Sequence, residues 1–165
     1  MNRTKLVFSI FLGILCIASC EKDDICVDGD TPLLVIRFYD KDDTTLLKTV
    51  PALEVRGLNG SDTLGVIANA SLDSIAIPLR VDQGGTSFIF SQNPDEEDET
   101  TLNMDNITFN YETRELFVSR ACGFIVNYDS LSATAIIDDS LWIEEIRIVT
   151  PLVENASSAH VKILH

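Results

Sequence analysis

Two histidines, four cysteines and 26 carboxylates are what this chain of 165 residues offers for chemistry. A hydroxyl or thiol nucleophile needs a positioned base, and the only candidates are His160 and His165. The alternation His160-Val161-Lys162-Ile163 turns Val161 and Ile163 inward and His160 and Lys162 outward, and His165 is the final residue. An outward strand histidine is ordinarily part of the surface. There is no GxSxG, HExxH, SxxK or phosphate-binding glycine loop. Carboxylates are so abundant that no pair is singled out for glycosidase-type work. The sequence assigns no catalytic residue and reads as non-enzymatic.

Metal chemistry is equally thin. Zinc sites favour CxxC pairs and clustered histidines, and neither occurs. Calcium prefers hard oxygen ligands, which Asp28-Gly29-Asp30, Asp40-Asp42-Asp43 and the stretch Asp95 to Glu99 could supply. None has EF-hand spacing: counting from Asp40, the sixth position is Thr45 and the twelfth is Pro51. These clusters read as solvated turns, and no metal or cofactor is assigned.

The cysteines carry more information. Arg3 and Lys5 precede an apolar run, Leu6 to Ile17, that is too short to span a bilayer as a stable helix. This is the layout of a secretory leader. Small residues Ala18 and Ser19 then lead directly into Cys20. Ile17-Ala18-Ser19-Cys20 resembles the lipobox of bacterial lipoproteins. That resemblance implies cleavage before Cys20, acylation of its sulfur and of the new amine, and stable attachment, because several acyl chains hold where one does not. Glu21-Lys22-Asp23-Asp24 resembles the charged export signal that follows the lipidated cysteine in surface lipoproteins of Bacteroidetes. The implied location is the outer membrane, lipid-anchored and facing outward; an inward-facing lipoprotein is the alternative.

With Cys16 in the leader and Cys20 lipidated, Cys26 and Cys122 remain. Two leftover thiols in an exported protein most often pair; two buried free thiols are the other reading. The net charge of −14 becomes more negative once Arg3 and Lys5 leave with the leader. Such a surface repels phosphate backbones and anionic headgroups, which excludes nucleic acid as a partner and makes membrane attachment covalent.

These residues must be held by strands. No stretch after the leader has a sustained 3.6-residue period, whereas period-two alternation recurs. Leu34, Ile36 and Phe38 share a face; Leu53 and Val55 alternate with Glu54 and Arg56; Ile75, Ile77, Leu79 and Val81 alternate with Ala76, Pro78, Arg80 and Asp82. Pro78 lacks an amide hydrogen, which places that strand at an edge or a bulge. Gln83-Gly84-Gly85 predicts a hairpin into Thr86 to Ser91. Glu112-Thr113-Arg114, Asp129-Ser130 and Asp138-Asp139-Ser140 read as turns. Between the first two, Leu116 to Tyr128 reads as one strand, with Cys122 on the core side beside Phe124, Val126 and Tyr128. Trp142 reads as core.

About ten short strands at regular spacing predict an all-β fold, a single antiparallel β-sandwich of immunoglobulin-like kind, with a small β-barrel as the alternative. The domain plan is a leader over 1–19, an acidic tether over 20–30 carrying Cys20, and a β domain over 31–165.

Two further resemblances concern the whole chain. TPLLVIRFYD, FVSRACGF, WIEEIRIV and HVKI, following the lipobox and EKDDIC, resemble a family of small Bacteroidetes envelope lipoproteins classed as a domain of unknown function. That implies fold and location, and supplies no activity. Asp followed by Ser or Thr and then an apolar residue or Thr occurs at Thr44, Thr63, Ser74, Ser130 and Ser140. It resembles the O-glycosylation sequon of exported Bacteroidetes proteins; a turn leading into a strand writes the same pattern. The sequence thus predicts a lipid-anchored binding or interaction module whose partner is an envelope protein or an extracellular ligand. A carbohydrate-binding accessory lipoprotein and an envelope hydrolase are the alternatives.

Overall fold

The computed structural model describes residue 26 and residues 29–92, 103–136 and 142–165. The predicted leader, Cys20 and Ser140 lie outside the described residues, as does the acidic stretch Asp95 to Glu99. Nine strands are described: β1 Leu34–Tyr39, β2 Val50–Asn59, β3 Asp62–Leu72, β4 Ser74–Ile77, β5 Gly85–Gln92, β6 Asn103–Ser119, β7 Gly123–Ala135, β8 Glu145–Ile148 and β9 Val161–Leu164. They form a four-stranded sheet, β4-β1-β9-β8, and a five-stranded sheet, β3-β2-β5-β6-β7. The chain is all-β and the two sheets pack face to face as a sandwich, without closing into a barrel.

The core follows the alternation. Leu34, Ile36 and Phe38 of β1 are fully buried against Val50, Leu53 and Val55 of β2, Phe88 and Phe90 of β5, and Ile107 and Phe109 of β6. Side chains of this size each gain about 1.5–3 kcal/mol by leaving water. Trp142 belongs to the same core and stacks on Phe38, with ring centroids 6.3 Å apart. β9 enters beside β1 as the single parallel pair, aligning Ile36 with Val161 and Phe38 with Ile163; every other described strand pair is antiparallel.

Several predicted boundaries move. β4 lies at a sheet edge, and it ends at Ile77, just before Pro78. It does not form a hairpin with β5: β4 pairs with β1, whereas β5 pairs with β2 and β6. Pro78 cannot donate to a ladder, and the chain there crosses from one sheet to the other. Leu79 still points into the core, while Val81 is exposed.

The predicted turns at Glu112–Arg114 and Asp129–Ser130 are not turns. β6 and β7 run straight through them, and the two stretches face each other. Asn110 pairs with Ser132 and Glu112 with Asp129, so Tyr111 alone opposes Ser130 and Leu131. This is a β-bulge, with Ser130 at φ 57° absorbing the extra residue. The reversal occurs later, at Arg120 to Cys122, within the stretch read as one strand. Cys122 is therefore a half-buried turn residue, not a core-facing one.

Beyond Tyr111 the two strands of the β6–β7 hairpin differ: Ile125, Asn127 and Tyr128 of β7 stay buried and Val126 packs against the core. Residues 112–117 of β6 are all exposed. The outer edge of β7 nearer the core is covered instead of bare: Tyr128 exchanges two backbone hydrogen bonds with Val153, and the Leu131 amide donates to the Pro151 carbonyl. Covering an edge this way removes a template for unwanted pairing.

Candidate functional site

Both histidines are buried. His160 does not face solvent: it is 2% exposed. Its Nδ1 accepts the Val35 amide hydrogen at 3.0 Å, and its own amide donates to the Val35 carbonyl at 2.9 Å. Burial pushes its pKa below the ordinary value, opposed by a hydrogen bond to the Asn155 backbone. Period-two alternation gives the side of the strand correctly but not what covers that side. His165 packs edge-on against Trp142 and Phe38, at 5.5 and 6.1 Å between centroids. Burial lowers its pKa as well.

The acidic turn at Asp40–Asp43 is occupied by its own backbone. Asp40 accepts the amides of Asp42 and Asp43 at 2.8 and 3.1 Å, and Lys48 lies 3.2 Å from its other oxygen. These bonds hold the Asp40 carboxyl below its usual pKa. Asp43 accepts both the amide and hydroxyl of Thr45. Among the described residues, no three His, Cys, Asp or Glu side chains converge in a way that could hold a metal ion.

Cys26 and Cys122 are bonded, with Cα atoms 4.9 Å apart across a sequence separation of 96. The bridge ties the tip of the β6–β7 arm to the start of the domain. Of the hydroxyls in Asp-Ser/Thr stretches, Thr63 and Ser130 are exposed, and Thr44 and Ser74 are half-buried.

A cleft that no motif or alternation pointed to lies at one end of the sandwich. It has a volume of about 560 Å³ and opens between the ends of β2 and β3 and the crossing segment Pro78–Arg80. Leu58, Leu64, Val66 and Leu79 give it apolar walls, and Phe88 forms part of its floor. Gly57 makes room there: a Cβ at Gly57 would stand 3.7 Å from the Phe88 ring, in ordinary contact, and would project into this space. The rim is polar. Arg80 donates to Asn59 Oδ1 at 2.7 Å and makes a two-pronged pair with Asp82 at 3.0 and 2.7 Å. A smaller polar recess of about 270 Å³ adjoins, sharing Leu58, Asn59, Arg80 and Thr86 and adding Gln83.

The crossing segment is pinned from below by hydroxyls. Tyr128 donates to the Leu79 carbonyl at 3.0 Å and Tyr111 to the Arg80 carbonyl at 2.8 Å. The Arg80 amide donates to Thr86 Oγ1 at 2.9 Å. Arg80 stays a guanidinium cation paired with Asp82, so the cleft offers an apolar chamber with a paired charge and uncharged hydrogen-bonding groups at its mouth. Its size is that of a small-molecule site.

A two-sheet β-sandwich with an apolar cleft at one end is the class the geometry defines. The chain belongs to a family of unknown function, DUF6452, whose profile matches residues 52–165. No curated protein and no solved structure matches it.

Proposed function

We propose that this protein is a lipid-anchored envelope protein that binds and does not catalyse, and that the cleft beside Gly57 is where it binds. The cleft carries the reading: its apolar walls and polar rim, where Arg80 is paired with Asp82, suit a ligand with a hydrocarbon portion and a polar end. Apolar burial supplies affinity, and a few placed polar groups orient the ligand. The occupied histidines support a non-enzymatic role, since neither offers a base to a substrate. The leader and Ile17-Ala18-Ser19-Cys20 support anchoring through acyl chains on Cys20, facing outward from the outer membrane.

Anchor and cleft are tested separately. Cys20→Ala moves the protein out of the membrane fraction or leaves it uncleaved; unchanged fractionation overturns the anchor. Native mass spectrometry of protein purified from its own envelope finds a small bound molecule, and Gly57→Leu, which fills the cleft, loses it. Retention by the filled variant, or an empty parent protein, overturns the cleft reading.

A further inference from the structure

The described phenylalanines fall into two groups. Phe38, Phe88, Phe90 and Phe109 are fully buried, whereas Phe117 and Phe124 are 55% and 67% exposed. Phe117 and Phe124 are register partners on β6 and β7, with ring centroids 5.3 Å apart. They sit near the tip of the arm, one residue beyond the buried Ile125, and Leu116 beside them is exposed too. An exposed apolar cluster at the end of a projecting hairpin needs something to cover it.

Charge narrows the occupant. Acids number 26 in the 165 residues, yet residues 116–128 contain none and carry one cation, Arg120. In a chain of net charge −14, residues 116–128 add no negative charge of their own against a phosphate-bearing surface. Chain length narrows it further. Cys20 and Cys26 are six residues apart, and at 3.3–3.6 Å per residue that tether spans about 20 Å at most. The disulfide then holds Cys122 with its Cα only 4.9 Å from that of Cys26, and Phe124 follows two residues later. Whatever Cys20 is embedded in lies within reach of the two rings.

We infer that the arm tip, through Phe117 and Phe124, rests in the interfacial layer of the bilayer that holds the acyl chains on Cys20. This rests on the anchor reading above. The rings lie at 62° to one another. They form a wedge that enters a fluid interface, not the flat platform on which a sugar ring stacks. Aromatic and leucine side chains seat about 5–10 Å into the boundary between headgroups and acyl chains. The contact would fix the orientation of the sandwich on the membrane, which a single covalent attachment point does not do.

The test uses the full lipidated chain in vesicles of phosphatidylcholine and phosphatidylglycerol, with and without bromine on the phosphatidylcholine acyl chains. Phe124→Trp places a reporter at the tip, and Phe117→Trp places one on the partner strand should the first variant fold poorly. The introduced tryptophan loses roughly half of its emission to brominated lipid if it sits at interfacial depth. Trp142, buried in the core, loses none in the unsubstituted chain. A chain that floats with the vesicles but keeps full emission overturns the arm contact and leaves the anchor standing. A chain that carries no acyl group and does not float overturns both. A photo-crosslinker in place of Phe124 that joins a protein instead of lipid in intact envelopes also overturns the inference, in favour of a protein partner.

Discussion

His160 Nδ1 takes the amide hydrogen of Val35 at 3.0 Å inside the protein, extending the β1–β9 pairing by a side chain where the backbone ladder ends. The ring must be unprotonated at that nitrogen to accept. Burial depresses its folded-state pKa, so the unfolded chain takes up the proton first as pH falls. A depressed folded pKa contributes stability that is complete above the unfolded value of about 6.5 and is lost as pH drops through the folded value. His165 acts in the same direction. The melting temperature is thus expected to hold steady down to about pH 6.5 and to decline below it, before the carboxylates with lowered pKa, such as Asp40, begin to protonate. His160→Gln flattens that decline. His160→Ala leaves the Val35 amide without its partner and costs about 1–3 kcal/mol at neutral pH. Melting that does not change between pH 7 and pH 5 would show that the neutral ring is not needed.

Gly29 is tied to the disulfide. A Cβ added there would lie 2.7 Å from Cys122 Cβ and 2.8 Å from its sulfur, and closer still to the sulfur of Cys26. Gly29→Ala is therefore expected to destabilise the oxidised protein and to lower the fraction that forms the bridge. In a chain carrying Cys26→Ser and Cys122→Ser, the same alanine is nearly neutral. That coupling is the signature of a steric conflict with the bridge rather than a general loop effect. The bridge itself closes a loop of nearly a hundred residues, for which the chain-entropy model gives at most about 4.7 kcal/mol. Reduction should lower the melting temperature by up to roughly 10–20 °C. Calorimetry with and without reductant reads both effects, and equal melting in the two states would refute the second.

Much of this architecture was legible because its core strands alternate cleanly. Leu53 and Val55 point inward while Glu54 and Arg56 stay half-exposed, as their order dictates. The turn residues Asn59-Gly60-Ser61 close the β2–β3 hairpin, with Gly60 at φ 65°. The bulge defeated the same reasoning. Glu112-Thr113-Arg114 and Asp129-Ser130 have turn composition, but Arg114 and Asp129 are polar because they pair across two long strands at 2.7 Å. Local composition cannot distinguish a polar bulge from a polar turn, and with the reversal misplaced, Cys122 was assigned a core face. The cleft was invisible for a different reason. Its walls join Gly57 and Leu64 to Pro78 and Arg80 from another part of the chain, so it exists only once the chain has crossed between sheets.

The Asp-Ser/Thr hydroxyls differ in access, and that gives the glycan reading a graded outcome. Thr63 lies exposed on β3, and Ser130 is lifted outward by the bulge. Ser74 is half-buried on β4, in register with Arg37 of β1, and Thr44 is half-buried in the Asp43 turn. If these sites are used, Thr63 and Ser130 are expected to carry sugar at higher occupancy than Ser74 and Thr44. Site-resolved mass spectrometry of protein from its native host measures this. A bare polypeptide mass would leave the recurring motif as turn chemistry alone.

The rings of Tyr111 and Tyr128 meet edge to face at 4.9 Å, and their hydroxyls hold the two consecutive carbonyls that form the roof of the cleft, Leu79 and Arg80. Burial first, and then the neighbouring Tyr111, push the Tyr128 pKa up to about 12. An alkaline absorbance titration should therefore show one phenol resisting ionisation until about pH 12 or until the fold opens, and Tyr128→Phe should remove that late step. The same variant leaves the buried Leu79 carbonyl without its donor, at a cost of about 1–3 kcal/mol in denaturant unfolding. Thr86 Oγ1, 2.5 Å from the Tyr111 hydroxyl, also accepts the Arg80 amide, so Tyr111→Phe disturbs the cleft rim as well as the core. If the cleft binds its ligand as proposed, Tyr111→Phe weakens ligand retention more than Tyr128→Phe does at equal loss of stability. Equal retention in the two variants would separate the hydroxyl network from the binding site.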